Sequence, residues 1–477
     1  MLMVIKTKII ATVGPATAER GIIGELIVNG VNVFRLNFSH GDFDDYARLL
    51  AEINAARENS GGITAVMGDL CGPKIRTGVI DPGDNMLVEG SEISIVKGGE
   101  PGTAERFGTN YENFVDDVSV GDRIFVDDGQ ILLLAVSKDD ERVVCKVING
   151  GQLHSRKGIN LPDTEVSIQS ITTRDWECVD WAIEHDMDFL ALSFVRNADD
   201  VHELKEYLLQ KGSSIEVVSK IETPRAVDDL EAIIDASDVV LAARGDLGVE
   251  MDLAEVPLIQ KRITRLCHQK GKPVIIATQM LQSMINMPTA TRAEVSDVAN
   301  AIFDLTDAVM LSGETAIGRY PIKALKTINK VAEFTEKYLD SVDGVRPTIK
   351  TQPKNRLIAT LAPNVARIVD EIDAPLVAVW SESGNTASFF SNARIDAPIM
   401  AFSSNAGVCR QMCMQYGVLP QCCESPDSLE GFAKMADEKA MAKDFVRTGD
   451  KIVLVTAQDP GSGESANSII VHTVLSD

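Results

Sequence analysis

The chain has 477 residues, of which 45% are hydrophobic and 24% are charged. This length predicts roughly three domains of about 150 residues each, and the composition is that of an ordinary globular protein. The 46 basic and 70 acidic residues give a formal net charge of −24, which disfavours nucleic acids and anionic membranes as partners.

The chain alternates short β-branched runs with helical patterns as far as residue 340. Eight runs predict strands, at Lys8–Val13, Val31–Leu36, Thr64–Asp69, Asp188–Ser193, Ile215–Lys220, Asp238–Ala242, Pro273–Thr278 and Ala308–Ser312. Helical patterns separate most of them, at Asp42–Asn59, Thr172–His185, Ala198–Gln210, Pro224–Ser237, Pro257–Lys270 and Arg292–Phe303. Apolar strands bounded by helices indicate a parallel sheet. Eight of them predict a (β/α)8 TIM barrel, with a doubly wound sheet as the alternative.

The connection that follows the third strand has a different sequence pattern, with strand signals in place of alternating strands and helices. Strand patterns lie at Glu92–Val96, Arg123–Val126, Gln130–Val136 and Arg142–Ile148. Asp128 and Gly129 form a hairpin signal between two of them, and no helix pattern is convincing. We therefore predict that residues 73–170 form a small inserted all-β domain. Because barrel active sites lie at the carboxyl ends of the strands, this insert should cover the barrel mouth as a lid.

A second boundary is predicted at Gly344–Asn355, where two prolines and several polar residues break the pattern. We accordingly assign residues 1–72 and 171–345 to the barrel, and residues 346–477 to a separate C-terminal α/β domain. The predicted elements of this last domain are Leu357–Ile372, Leu376–Trp380, Ile399–Ser403, Leu429–Val446, Ile452–Thr456 and Ile469–Val474.

The cysteines and the apolar runs predict where the protein resides. The eight cysteines form no pair of Cys-x-x-Cys motifs, which argues against a zinc site and for reduced thiols. The first apolar run is too short for a signal peptide, and no run reaches the ~18 residues of a membrane span. We expect a cytoplasmic protein.

Polar and charged side chains follow most of the predicted barrel strands. They occur in the segments Phe34–Gly41, Gly68–Arg76, Ser219–Thr223, Ala243–Gly248, Ala277–Gln279 and Ser312–Thr315. One such residue alone is usually a solvated turn or a satisfied ion pair. Charged residues at the same end of five strands would need burial together, which costs several kcal/mol per unpaired ion. A metal and an anionic ligand resolve that conflict.

The residue types in these segments suit phosphoryl transfer, which needs charge neutralisation and in-line positioning more than a nucleophilic side chain. Glu222 and Asp246 offer the hard oxygen ligands that Mg²⁺ prefers. Lys220 points the same way as Glu222 because strand side chains alternate. Arg35 offers a bidentate fork for phosphate, and Gly245 lets backbone N–H groups approach an anion closely.

Segments between residues 6 and 320 resemble those of pyruvate kinases, in the same order. They read TKIIATVGPA, FRLNFSHG, GPKIRTG, KGINLP, SKIE, ARGDLGVE, ATQML, TRAEVSDVANAI and MLSGETAIG. The segment NSIIVHTV near the end of the sequence shows a weaker resemblance. The resemblance implies the same three-part architecture and transfer of a phosphoryl group from phosphoenolpyruvate to ADP with Mg²⁺ or Mn²⁺. It also implies a homotetramer.

The resemblance carries site roles onto individual positions. Lys220 matches the lysine that stabilises the transferring phosphoryl group and the enolate, and Glu222 and Asp246 match the metal ligands. The positions that bind phosphoenolpyruvate match Arg35, Lys220, Gly245, Asp246 and Thr278. Thr278 lies near the face where the enolate is protonated, by this residue or by a water chain. The positions around the nucleotide match Asn37, His40, Arg76 and Lys157.

One departure from the family pattern concerns the monovalent cation. Relatives that depend on potassium have Glu after the Gly-Pro turn and hold K⁺ near positions that match Asn37, Ser39, Asp69 and the carbonyl of residue 70. Here the first position is Lys74, and residue 70 is Leu. We expect the Lys74 ammonium to replace K⁺, as in the bacterial type that does not require it, with a solvent-exposed lysine as the alternative.

A hydroxyl-rich and Gly-rich turn in the C-terminal domain matches the effector loop of the family. It comprises Ser381, Ser383, Gly384, Asn385 and Thr386. Such a turn before a helix can bind phosphate without basic side chains, and an ordinary capped helix start is the alternative. We expect a sugar-phosphate effector, although Glu382 would repel an anion and Asn385 stands where Arg is frequent.

Two other functions stay open. A lyase or aldolase of the barrel type would share the carboxylates and the arginine, but it would not need nucleotide positions such as Arg76 and Lys157. An inactive relative that only binds effectors would not need Lys220, Glu222 and Thr278 intact.

Overall fold

The structure is a computed structural model that describes residues 4–18, 21–83, 85–98, 101–342, 356–458 and 466–475. Its first elements are β1 (Lys8–Thr12), α1 (Ile22–Val28), β2 (Val33–Asn37), α2 (Phe43–Ser60) and β3 (Ala65–Asp69). The insert then contributes β4 (Met86–Leu87), β5 (Glu92–Val96), β6 (Arg106–Gly108), α3 (Phe114–Asp117), β7 (Arg123–Val126), β8 (Ile131–Lys138), β9 (Arg142–Asn149), β10 (Gly151–Gln152) and β11 (Ile159–Asn160).

The chain returns to the barrel after the insert. The elements there are α4 (Thr173–Glu184), β12 (Phe189–Leu192), α5 (Ala198–Gln210), β13 (Glu216–Ile221), α6 (Pro224–Asp228), α7 (Leu230–Ala236), β14 (Val239–Ala243), α8 (Arg244–Glu250), α9 (Val256–Lys270), β15 (Val274–Ala277), α10 (Arg292–Phe303), β16 (Ala308–Leu311), α11 (Gly313–Ala316) and α12 (Pro321–Asp340). A 3₁₀ turn lies at Gln282–Ile285.

The C-terminal domain completes the chain. Its elements are α13 (Arg356–Ile372), β17 (Val377–Trp380), α14 (Asn385–Asn392), β18 (Ile399–Ser403), α15 (Ala406–Gln411), β19 (Val418–Cys422), α16 (Leu429–Ala442), β20 (Lys451–Thr456) and β21 (Ser468–Thr473). A 3₁₀ turn at Met412–Met414 follows α15.

Eight parallel strands close into the predicted barrel, in the order β1-β16-β15-β14-β13-β12-β3-β2. Closure by β1 against β16, from Lys8 with Ala308 to Ala11 with Leu311, excludes the doubly wound alternative. β1, β3, β12, β14, β15 and β16 are buried along their whole length, as the apolar runs predicted for a sheet covered on both faces.

The insert is the predicted all-β domain. Six strands form one sheet in the order β11-β7-β8-β9-β5-β6, and β10 pairs with β4 beside it. The predicted Asp128–Gly129 hairpin joins β7 to β8, where Val126 pairs with Ile131, and both residues of the signal have positive φ. One helical turn, α3, was not predicted.

Asp175 holds together the two stems of the insert. Its Oδ1 accepts hydrogen bonds from the backbone N–H of Cys71 (2.9 Å) and Gly72 (3.3 Å), where the chain leaves the barrel. Its Oδ2 accepts the N–H of Thr172 (2.9 Å) in a capping box where the chain returns. One fully buried carboxylate therefore anchors both stems.

The C-terminal domain closes the amino-terminal end of the barrel. Its five-stranded sheet has the order β19-β18-β17-β20-β21, with only β21 antiparallel. Cys413 and Met414, in the 3₁₀ turn after α15, pack against inward-facing barrel residues that include Ile10, Val33 and Met67. Lys8, only 2% exposed, donates a hydrogen bond of 2.6 Å from Nζ to the carbonyl of Val418.

Arg394 and Arg410 form ion pairs that fasten this domain to the barrel. Arg394 Nη1 lies 2.9 Å from Asp307 Oδ1, with both side chains almost fully buried, and Arg410 Nε lies 2.6 Å from the buried Asp188. The predicted linker Gly344–Asn355 lies outside the described residues. The domain boundaries at residues 72, 170 and 345 therefore stay predictions.

Candidate functional site

A buried charge cluster occupies the carboxyl ends of the barrel strands. Asp69, the last residue of β3, is 1% exposed. Its Oδ2 lies 2.6 Å from Arg35 Nε, and its Oδ1 lies 3.3 Å from Lys220 Nζ. Arg35 also donates from Nη1 to Thr12 Oγ1 (3.0 Å). The barrel closure thus brings together side chains from β1, β2, β3 and β13.

Lys220 lies at the centre of this cluster. Besides Asp69, its Nζ contacts Glu222 Oε1 (2.8 Å) and donates to Ser193 Oγ (2.7 Å). Ser193 in turn donates to the carbonyl of Leu70 (2.8 Å). Sequence analysis did not name Ser193 as a site residue, although it directly follows β12 and the rule used for the other strand ends would have found it.

The electrostatics fix the charge state of the lysine. Burial alone would lower the pKa of Lys220, but the carboxylates of Asp69, Glu222 and Asp246 outweigh burial and raise it. Burial would likewise raise the pKa of Asp69, but Lys220 and Arg35 lower it below its usual value. The cluster therefore holds a permanent ammonium beside a permanent carboxylate.

Glu222 differs from Asp69 in this respect. Burial, together with the nearby charge of Asp246, raises the pKa of Glu222 despite Lys220. Its Oε2 accepts the N–H of Phe194 (2.7 Å). Two carboxylates that disfavour each other's charge are the donor set that a divalent cation stabilises. Mg²⁺ usually takes one or two carboxylates and completes its shell with substrate oxygens and water. Among the described residues there is no group of three or more His, Cys, Asp or Glu side chains that could hold a metal ion.

Thr278 and Gly245 form a second feature at the barrel mouth. The N–H of Gly245 donates to Thr278 Oγ1 (2.7 Å), which itself donates to the carbonyl of Ala277 (2.6 Å). A Cβ at Gly245 would lie 3.3 Å from that hydroxyl, so only glycine leaves the hydroxyl this close to the backbone. Thr278 and Gln279 have φ of 67° and 56°, a strained conformation of the kind that clusters at functional sites.

The residues expected around the nucleotide fall in two places. Arg76 and Lys157 lie on neighbouring chain segments of the lid, where Arg76 bridges to Gly158 and Lys157 Nζ lies 2.9 Å from Asp127. Asn37 and His40 lie at the barrel rim, after β2, and Asn37 accepts the N–H of Ser39 (3.2 Å). No hydrogen bond or ion pair joins the two pairs within the described residues.

Lys74 packs within the lid. Its Cε packs against Gly158 in the lid, 3.3 Å from the point that a Cβ there would occupy. Asp69 is satisfied by Arg35 and Lys220 instead. In the described part of the chain, the Lys74 ammonium makes no ion pair.

The predicted effector loop forms a tight turn before α14. Ser381 Oγ accepts the N–H of Ala387 (3.2 Å), and Gly384, with φ of 77°, precedes the helix. Glu382 faces away from this turn, because its carboxylate accepts hydrogen bonds from the N–H and hydroxyl of Ser404. Ser383 and Asn385 are exposed, whereas Thr386 is buried.

Sequence analysis did not single out a contact between lid and barrel. Glu250, at the end of α8, is 8% exposed and accepts a hydrogen bond of 2.7 Å from Asn160 Nδ2 of the lid. Burial raises the pKa of Glu250 to about 7, against the effect of that hydrogen bond. Both residues line a cleft between lid and barrel with an empty volume of about 720 Å³. No signal in one sequence pairs residues 90 positions apart.

Comparison with known proteins identifies relatives over the whole chain. The family model "Pyruvate kinase, barrel domain" matches residues 4–325, and "Pyruvate kinase, alpha/beta domain" matches residues 359–472. A pyruvate kinase of Geobacillus stearothermophilus is 40% identical over 99% of this chain and 81% of the relative. One of Corynebacterium efficiens is 36% identical over 99% and 98%. A crystal structure of a pyruvate kinase from Cryptosporidium parvum superposes with a TM-score of 0.90 at 31% identity, covering 98% of this chain and 96% of that one.

Proposed function

Because the chain belongs to the pyruvate kinase family, and is therefore a phosphotransferase acting on phosphoenolpyruvate and ADP, we propose how its own residues carry the transfer. The β-phosphate oxygen of ADP forms the new P–O bond while the bond to the enol oxygen breaks, and the enolate is then protonated to pyruvate. The negative charge that shifts between these oxygens must be neutralised throughout. A permanent Lys220 ammonium, held by three oxygen acceptors, is the observation that carries the proposal.

Phosphoenolpyruvate binds in this proposal between Arg35 and the turn after β14. Arg35 supplies a guanidinium fork for the phosphate, and the α8 start at Gly245 offers backbone N–H groups to the carboxylate. Lys220 bridges the transferring phosphoryl group and the enolate oxygen, so its charge counts most where charge develops. Thr278 faces the carbon that is protonated, and either its hydroxyl or a water chain delivers the proton.

Glu222 and Asp246 are the residues that would hold Mg²⁺ or Mn²⁺. The metal supplies charge neutralisation for the phosphate and enolate oxygens when it is bound. Lys220 Nζ lies 2.8 Å from Glu222 Oε1, so the ammonium stands beside one of the carboxylates that would hold the metal.

ADP is proposed to bind between the barrel rim and the lid. Arg76 and Lys157 place two cations in a protein of net charge −24, and Asn37 and His40 face them from the rim. Since these pairs are not in contact in the structure, the lid has to approach the rim when the nucleotide binds.

Lys74 is proposed to replace K⁺, with Asn37, Ser39, Asp69 and the Leu70 carbonyl as its surroundings. Its ammonium has no ion partner among the described residues and sits on the lid side of the Gly-Pro turn. Lid closure can therefore bring it to the mouth without breaking an existing pair. A tethered cation also avoids capturing an ion from solution.

Control and assembly are the remaining parts of the proposal. The turn at Ser381, Ser383, Gly384, Asn385 and Thr386 binds a sugar phosphate, with Glu382 held aside by Ser404. The chain forms a homotetramer, which agrees with the exposed apolar side chains of Phe334 and Tyr338 on α12. The enzyme works in the cytoplasm. In the described residues no helix is long and apolar enough to cross a membrane.

The test is a coupled assay of pyruvate formation from phosphoenolpyruvate, with ADP and Mg²⁺ each omitted in turn. Lys220→Met should lower kcat by orders of magnitude and change the affinity for phosphoenolpyruvate less, because the lost charge acts mainly in the transition state. The matched control is Lys205→Met, which removes a lysine paired with Asp238 at the opposite end of the barrel. A Lys220 variant with a tenth of wild-type kcat, or pyruvate release without ADP, would contradict the proposal.

A further inference from the structure

The lid rests on one helix of the barrel at two points. The Asp127–Gln130 turn lies against α8, where a Cβ at Gly129 would be 3.6 Å from the side chain of Val249. Beside it, Asn160 Nδ2 donates to Glu250 Oε1 at 2.7 Å. Both points are at the carboxyl-terminal end of α8, whose first turn carries Gly245 and Asp246.

The Asn160–Glu250 hydrogen bond joins lid and barrel inside a partly enclosed cleft. Glu250 is 8% exposed, and Asn160 is its only hydrogen-bond partner among the described side chains. Other charges also act on Glu250: the carboxylates of Asp246, Glu222 and Asp163 disfavour its charge, and the Arg123 guanidinium of the lid interacts with it favourably. A buried carboxylate loses much of its stabilisation if its hydrogen-bond donor leaves, so the two domains hold each other at this point.

The same two contacts lead directly to Lys157. Asn160 follows it by three residues on β11, which pairs with β7 through Asn160 and Phe125. Asp127 is the first residue of the turn that lies against α8. Its Oδ1 lies 2.9 Å from Lys157 Nζ, and it forms no other ion pair with a described residue. The Asp127 N–H also donates to the carbonyl of Gly158 (3.0 Å). Whatever fixes Asn160 and the turn on α8 therefore fixes the position of Lys157.

We propose that Glu250 is a positioning residue for the nucleotide: by holding Asn160, it fixes the lid segment from Lys157 to Asn160 in place above the barrel mouth. Helix α8 then connects the lid to the turn at Gly245 and Asp246. This inference rests on the proposed binding of ADP between lid and barrel. It assigns Glu250 and Asn160 no contact with substrate.

The experiment measures steady-state kinetics with each substrate varied in turn. Asn160→Ala removes the donor, and Glu250→Ala removes the acceptor. Since a hydrogen bond to a charged group is lost in each, the KM for ADP should rise about tenfold in both variants. The KM for phosphoenolpyruvate should stay within about twofold, because Arg35 and Lys220 do not depend on the lid.

A reciprocal exchange separates the contact from a general structural role. Asn160→Asp alone places a second carboxylate against Glu250 and should raise the KM for ADP further than Asn160→Ala. Adding Glu250→Gln restores an amide and a carboxylate in swapped positions, and the double variant should recover most of the wild-type KM. The matched control is Glu165→Gln, which removes an exposed lid–barrel ion pair to Arg225 that does not involve α8 and should leave the KM for ADP unchanged.

Amide hydrogen exchange at residues 157–160 gives a readout that needs no activity. Exchange should accelerate in Asn160→Ala and return towards wild type in the double variant. Three results would overturn the proposal. They are an unchanged KM for ADP in both alanine variants, an equal rise in KM for both substrates, and a double variant that does not recover the wild-type KM for ADP. A wild-type enzyme that forms no pyruvate would refute the proposed function instead. The amide hydrogen exchange rates would then still show whether the Asn160–Glu250 contact holds the lid.

Discussion

Lys8 offers a direct test of how the domains fit together. It is the first residue of β1 and points into the amino-terminal end of the barrel, among apolar residues covered by Cys413 and Met414. The side chain is 2% exposed, donates a hydrogen bond to the Val418 carbonyl and forms no ion pair with a carboxylate among the described residues. Burial lowers the pKa of Lys8 from 10.5 to about 8, a shift that Cys413 and Glu336 reduce only in part. We therefore expect Lys8→Met to stabilise the protein.

The magnitude follows from the pKa shift. A fall from 10.5 to about 8 means that the ammonium costs the folded state about 3 kcal/mol relative to the unfolded chain at pH 7. Removing it also removes the hydrogen bond to Val418, worth about 1 kcal/mol, so the net gain should be about 2 kcal/mol. At about 2 cal/mol/K of unfolding entropy per residue, a chain of 477 residues should then show a rise in apparent Tm of roughly 2 °C.

The sign of the pH dependence provides the control. Between pH 8 and 10.5 the unfolded chain binds the proton and the folded protein does not, so raising the pH through this window removes the cost and stabilises the wild type. The advantage of Lys8→Met should be full at pH 7.5 and should shrink towards pH 10.5. Calorimetry of both proteins at the two pH values checks this. A variant with a lower Tm at pH 7.5, or with the same advantage at both, would refute the reasoning.

The remaining predictions concern the buried ion pair between Arg394 and Asp307 and the residues proposed to bind ligands. Arg394→Met leaves a carboxylate buried without its cation, so it should lower the free energy of unfolding by about 3–5 kcal/mol, and an unchanged calorimetric Tm would contradict this. Glu222→Gln and Asp246→Asn should each shift the Mg²⁺ titration of activity to higher concentration, and unchanged curves would make these carboxylates structural. With tetramethylammonium as the only monovalent cation, the wild type should keep its activity and Lys74→Glu should need added K⁺. A wild type that is inactive without K⁺ would show that the Lys74 ammonium does not replace this ion. Ser383→Asp should abolish activation by sugar phosphates and preserve saturated turnover, and the hypothesis fails if no sugar phosphate alters the wild-type substrate curve.

The barrel was predictable from the sequence because its strands carry a local signal. Runs such as Ile9–Ala11 are apolar without interruption, since both faces of a parallel barrel strand are buried, and all eight predicted strands lie within two residues of those observed. The predicted helix Pro224–Ser237 is instead two helices that break at Asp229. That carboxylate accepts the Ala198 N–H from the neighbouring helix start, and such a long-range contact leaves no periodicity in the sequence.

The same difference between local and long-range signals decides which parts of the candidate site could be predicted. Lys220 and Glu222 could be placed on one face because strand alternation is local, and the strand-end rule placed Arg35 and Asp69 at the same level. The lid position could not be derived in this way. Lys74 lies near Asp69 in sequence, yet packs on Gly158 because the insert folds back over its own first stem. That packing is a long-range contact within the insert, and neither spacing nor composition encodes it.

The closure of the barrel end by residues far along the chain has a consequence for synthesis. β1 is completed only when it pairs with β16, at Ala308, and its end stays open until Met414 has left the ribosome. At translation rates of about 5–20 residues per second, this interval lasts on the order of 5–20 s. During it, Ile10 and its apolar neighbours face water in a chain dominated by non-local pairing, which folds slowly. The nascent barrel is therefore a substrate for chaperones over this interval, and a ribosome stalled before residue 414 would leave an aggregation-prone product.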